Sequence, residues 1–181
     1  MPPALKRSVG VFEEVLLAGG GERRIALETR CGRPITNVIE PEPGDRERRL
    51  YDARRKKYGE RWSNRKPACG GYNCFGMVFA SRRTAILDAE HADAQIYDIL
   101  ADDGYRPVAE TEAVLDDLVV YKDRTMGLLH LARITRRAEL KALYALSKWD
   151  STSGEDEHHI RHHCWTDAGF ELELQFWTDR P

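Results

Sequence analysis

The 181-residue chain predicts an α+β domain, from three observations. An apolar run, Cys-Phe-Gly-Met-Val-Phe-Ala, starts at Cys74 directly after Asn73. Ala92, Ile96, Ile99 and Leu100 recur at helical spacing. Beyond residue 104 the period changes to that of strands, clearest where Phe170, Leu172, Leu174 and Phe176 alternate with Glu171, Glu173 and Gln175. Helices come first and sheet follows.

The elements follow in chain order. Residues 11–17 are expected as a short helix and residues 24–29 as a strand, bounded by Gly19-Gly20-Gly21 and Gly32. Pro41-Glu42-Pro43-Gly44 breaks the chain. Asp45 then caps a strongly charged surface helix that ends near Gly59, with Leu50, Tyr51 and Tyr58 as its apolar contacts. A loop over residues 66–73 leads into the helix at Cys74, which is apolar on nearly every side and therefore expected in the core, with Asn73 as its cap. The next helix runs from a cap at Asp88 to a stop at Gly104. Strands are expected over 118–121, 128–135 and 170–176. Residues 138–149 have helical composition, yet Leu143, Ala145, Ser147 and Trp149 alternate as in a strand.

Length and composition narrow the classes. The chain fits one domain over 1–181, and 41% hydrophobic with 32% charged residues is a globular balance. No stretch reads as a bilayer span, and Glu13 and Glu14 interrupt any signal-peptide core. Four unevenly spaced cysteines point to a reducing compartment. The expected location is the cytoplasm, or export as an effector without a signal peptide.

Cys74 is the candidate nucleophile, because unpaired N–H groups in a first helical turn stabilise a thiolate. Gly70 and Gly71 allow close backbone approach to a substrate, and Gly76 leaves room beside the sulfur. His130 is the candidate base. On the strand 128–135 it shares a face with Leu128, Ala132 and Ile134, where an apolar side chain would be expected. A buried hydrophobe and a satisfied core histidine are the bland alternatives for these two residues.

The segment Tyr72-Asn73-Cys74-Phe75-Gly76-Met77-Val78 resembles the Asp-Cys-Ser-Gly-x-Val motif of the NlpC-like branch of the papain-like cysteine peptidases. Leu115-Asp116-Asp117-Leu118-Val119-Val120-Tyr121, followed by His130-Leu131-Ala132-Arg133-Ile134, resembles that family's acidic turn, Leu-Val run and histidine strand. The resemblance spans residues 62–149 and leaves 1–61 as an N-terminal helical extension. It implies a papain-like fold, with a central helix carrying the nucleophile packed on an antiparallel sheet carrying the base. It also implies amide-bond hydrolysis on a peptide or cell-wall peptide through an acyl-enzyme, with no cofactor and no metal; acyl transfer and deamidation are related outcomes. Ser147-Lys148-Trp149-Asp150 is similar to the Asn-Ser-Trp-Gly segment of papain-like enzymes. That likeness makes Ser147 the third residue that orients His130, with Trp149 shielding it and His158 or His159 as substitutes. Asn73 and Tyr72 are the candidates to complete an oxyanion hole beside the Cys74 N–H.

Two non-catalytic readings compete. His158, His159, His162, His163 and Cys164 could form a metal-binding module, although paired Cys-x-x-Cys knuckles are absent. Arg46, Arg48, Arg49, Arg54, Arg55, Lys56, Lys57, Arg61, Arg65 and Lys66, interleaved with Tyr51, Tyr58 and Trp62, could bind nucleic acid; interspersed acids and a net charge of −2 argue against it.

Overall fold

The computed structural model describes residues 23–86, 92–138, 142–167 and 169–181. The helix expected over 11–17 and the cap expected at Asp88 lie outside these residues. The chain is α+β, and the sheet is antiparallel throughout its described pairings.

Four α-helices are described: α1 (Asp45–Tyr58), α2 (Cys74–Phe79), α3 (Ala92–Asp102) and the single turn α4 (Cys164–Asp167). The main sheet contains β2 (Trp62–Lys66), β4 (Arg106–Val108), β5 (Leu118–Asp123), β6 (Gly127–Arg137), β7 (Leu143–Lys148), β8 (Glu155–His159) and β9 (Leu172–Thr178). Their spatial order is β2-β8-β7-β6-β5-β9-β4. Two short strands, β1 (Asn37–Val38) and β3 (Ala85–Ile86), pair separately.

The stretch 62–149 is not self-contained. β8 and β9 lie beyond it in sequence yet flank its strands, and β1 from the N-terminal part pairs with β3. Residues 24–29 form no strand; only an isolated bridge joins Glu28 to Pro34. The ambiguous segment resolves as a strand from Leu143 to Lys148, because both of its faces are covered.

β5 and β6 show how the two faces divide. Leu118, Val120 and Leu131 pack with Met77 and Val78 of α2 and with Ile96, Ile99 and Leu100 of α3. Val119, Tyr121, Ala132 and Ile134 point the other way, onto Leu143, Ala145, Ile160 and Phe176. Both faces are buried, so these strands read as continuous apolar runs with little alternation.

α1 is the charged helix that the sequence predicts, and Tyr51 is its buried residue. Its hydroxyl donates to Asp156 (2.8 Å) and accepts from Asn64 (2.8 Å). Arg54 reaches Asp150 at 2.9 Å and Arg55 lies 3.4 Å from Asp156, while Arg65 of β2 pairs with Glu157 at 2.6 Å. Three of the basic residues between 46 and 66, Arg54, Arg55 and Arg65, therefore tie this helix and β2 to β8 and the turn before it.

Candidate functional site

α2 forms where the sequence places it. The Asn73 side-chain oxygen accepts from the Gly76 N–H (2.9 Å) and from the Ile86 N–H (3.2 Å), while its amide donates to the Ile86 carbonyl (2.8 Å). That one side chain caps α2 and ties it to β3. The role expected for Asn73 at an oxyanion is thus taken over in large part by structural bonds: its oxygen and one amide proton are engaged in holding α2 and β3.

Cys74 opens α2 and is buried. Burial pushes its thiol up to about 11, although the backbone amides of Leu131, Phe75 and Cys74 itself, and the Lys148 cation, favour the anion. Gly76 is needed for packing rather than for access: a Cβ there would sit 1.8 Å from the Thr84 carbonyl oxygen.

His130 lies on the other face of the sheet. It pairs in register with Tyr121, and its ring sits 5.5 Å from the Tyr121 ring and 5.0 Å from that of Trp149, stacked at 17°. Neither ring nitrogen has a hydrogen-bond partner among the described residues. Burial pulls its pKa down to about 3, and His158 and His163 add to the effect. A register shift between Tyr121 and Lys122 sends Leu128 to the α2 side while His130, Ala132 and Ile134 stay opposite. The expected shared face of Leu128 and His130 is thus broken, and the sheet separates His130 from Cys74.

Ser147 does not orient His130. Its hydroxyl meets Nε2 of His158 at 2.8 Å, and Nδ1 of His158 lies 2.8 Å from the His159 carbonyl, so His158 is the satisfied core histidine of this face. Trp149 is packed between Trp62 (4.7 Å) and His130, and its Nε1 has no partner among the described residues. Cys74, His130 and Ser147 are therefore not brought together as a triad.

A different polar group gathers at the N-terminal end of α2. Tyr72 is buried; its hydroxyl donates to Glu155 and accepts from Lys66 Nζ (2.9 Å) and from the Cys69 thiol (3.4 Å). Arg82 clamps Glu155 with two hydrogen bonds, of 2.6 and 2.8 Å. Burial works against the Glu155 anion, but Arg82 and Tyr72 outweigh it and hold the carboxyl below its ordinary range. Tyr72 is thereby a strut within this group and has no proton left for an oxyanion.

Lys148 completes the group. Its side chain is fully buried on the α2 face, with Nζ donating to the carbonyls of Cys69 (2.7 Å) and Ser153 and lying 3.8 Å from the Cys69 sulfur. The ammonium also sits 4.8 Å from the centre of the Tyr72 ring. Burial lowers its pKa from the ordinary lysine value, opposed by Cys69, Asp150 and Glu155. Cys69 is only partly buried. Neither Cys69 nor Lys148 is given a role by the sequence motifs. The available signal was a lysine closing a strand that begins with the apolar run Leu143 to Leu146, where a charge requires partners.

Among the described residues no three His, Cys, Asp or Glu side chains converge as metal ligands, so the histidine-rich tail is not gathered there as a metal site. His159 instead meets the Tyr144 ring edge-on and lies tilted against His162, and His163 meets the Tyr121 ring edge-on. A surface hollow lined by Pro107, Glu110, Phe176 and Trp177 at the β4–β9 edge contains none of the thiols. No described helix is long and apolar enough to cross a membrane. Comparison with known protein families, with curated proteins and with solved structures finds no match to this chain.

Proposed function

We propose that the chain is a cysteine-dependent hydrolase of amide bonds in a peptide or peptide-like substrate, with Cys69 as nucleophile and Lys148 as the group that takes its proton. The observation that carries this reading is the 3.8 Å approach of Lys148 Nζ to the sulfur of a partly exposed cysteine. An ammonium has three protons, and three acceptors surround this one: the Cys69 carbonyl, the Ser153 carbonyl and the Cys69 sulfur. The thiolate–ammonium form of the pair is thus fully hydrogen-bonded, while burial keeps the neutral amine within reach as a base.

In this mechanism Lys148 accepts the Cys69 thiol proton and the thiolate attacks the substrate carbonyl. Lys148 returns the proton to the departing amine, leaving an acyl-thioester on Cys69 that water hydrolyses. The papain-like resemblance supplies the reaction class, and a capped helix lying on β5, β6 and β7 suits it. The identity of the working thiol comes from the geometry alone.

A second reading keeps Cys74 as nucleophile. It is favoured by the backbone amides of Leu131 and Phe75, which stabilise the Cys74 anion.

Labelling with iodoacetamide, read residue by residue by mass spectrometry, separates the two, alongside turnover of a fluorogenic amide panel. Cys69→Ala is expected to abolish the fast-labelling site and turnover. Lys148→Gln should slow both by about 100-fold, the lower end of general-base contributions, and His130→Leu should leave both intact. Loss with Cys74→Ala while Cys69→Ala behaves as wild type transfers the role to Cys74. Fast labelling that survives both substitutions removes the hydrolase reading.

A further inference from the structure

We propose that Cys69 and Lys148 form a reversible sulfur–nitrogen bridge when the protein meets a hydroperoxide, making this pair an oxidative modification site. The inference uses the same pair of residues as the proposed function and adds its regulation.

The placement of the two groups carries the argument. Nζ of Lys148 is pinned between the Cys69 and Ser153 carbonyls, which aim it at the sulfur 3.8 Å away. Cys69 is partly exposed, so a small peroxide reaches it, whereas Lys148 is fully enclosed and has nowhere else to react. An oxidised cysteine is ordinarily resolved by a second thiol, and where none is adjacent a nitrogen serves. The polar contacts of the Cys69 sulfur among the described residues are the Tyr72 hydroxyl and Lys148 Nζ, and none of the other thiols, Cys31, Cys74 or Cys164, is among them. Of these two groups the Tyr72 hydroxyl is engaged with Glu155, and the Lys148 amine is the nitrogen nucleophile that can close on the Cys69 sulfur.

The steps balance without a further reagent. The Cys69 thiol reacts with one hydroperoxide; sulfur takes the distal oxygen to become a sulfenic acid, and the peroxide leaves as alcohol or water. The neutral amine of Lys148 then attacks sulfur. The S–O bond breaks, hydroxide departs with the amine's proton as a second water, and an S–N bond remains. A low-molecular-weight thiol reverses it by attack on sulfur, forming a mixed disulfide and freeing the amine; a second equivalent restores the Cys69 thiol. While it lasts, the bridge removes nucleophile and base together.

The test uses the full chain treated with hydrogen peroxide, digested by trypsin without reductant and analysed by mass spectrometry. The expected result is lost cleavage after Lys148 and a joined peptide about 2 Da lighter than the sum of its two parts, as loss of two hydrogens requires. Dithiothreitol should erase it. Cys69→Ser should prevent it, and Cys74→Ser should leave it unchanged. Because Lys148→Gln removes a buried group and could unfold the chain, the decisive readout is on the wild type. Cys69 found as sulfinic acid or as a disulfide, with cleavage after Lys148 intact, overturns the inference. The readout is a mass, so a bridge without turnover defeats the hydrolase reading alone, and Cys69-dependent turnover without a bridge defeats this inference alone.

Discussion

His130→Leu isolates the electrostatic consequence of placing an imidazole in a dry aromatic layer. In the folded chain its pKa is about 3, against 6.5 for an ordinary histidine, so the unfolded chain binds the extra proton. The folded value is the lower one; the stability it confers is complete above pH 6.5 and is lost as pH falls from there toward 3. Each unit in that window costs about 1.4 kcal/mol, so wild type at pH 5 gives up about 2 kcal/mol through His130 alone. His158, held near the same value mainly by burial, contributes a similar loss of its own. Urea unfolding of wild type and variant at pH 7 and pH 5 reads the difference. The variant should lose about 2 kcal/mol less than wild type between the two values. At pH 7 two effects oppose: relief of unpaired buried nitrogens, worth about 1–3 kcal/mol, and loss of the Trp149 stack, worth about 0.5–1.5 kcal/mol. The variant should therefore equal or exceed wild type there. Identical pH dependence in the two proteins would show that His130 titrates normally, in contact with water, and would refute the placement on which this reasoning rests.

Other substitutions test the frame around the thiols. Asn73→Ala removes the cap of α2 and both links to Ile86, and should cost about 1–3 kcal/mol in urea unfolding. Gly76→Ala would drive a methyl group to 1.8 Å from the Thr84 carbonyl oxygen and 3.2 Å from Tyr72 Cβ, so backbone must move; a loss of about 3 kcal/mol or failure to fold is expected. A Gly76→Ala protein with wild-type stability would mean that the turn between α2 and β3 yields easily.

Local signals were legible in the sequence because they involve near neighbours. Asn73 ahead of an apolar run specifies a capped helix, and the capping bond spans three residues. The alternation of Leu172, Leu174 and Phe176 specifies a strand, which the structure extends from Leu172 to Thr178. The change from helical to strand periodicity specifies α+β.

Which face a side chain occupies was decided only by tertiary pairing. A strand's side chains alternate with period two, so one irregular residue between Leu128 and His130 puts Leu128 on the α2 side while the imidazole stays with Ala132 and Ile134 in the opposite layer. The Lys148 group was equally hidden from sequence. Cys69 and Lys148 lie 79 positions apart and Tyr72 and Glu155 lie 83 apart, and no local pattern records which residues a folded sheet gathers around a buried ammonium. Such a charge persists in a core only where its protons meet acceptors, and those acceptors exist only once β7 and the loops around Cys69 and Ser153 are in place.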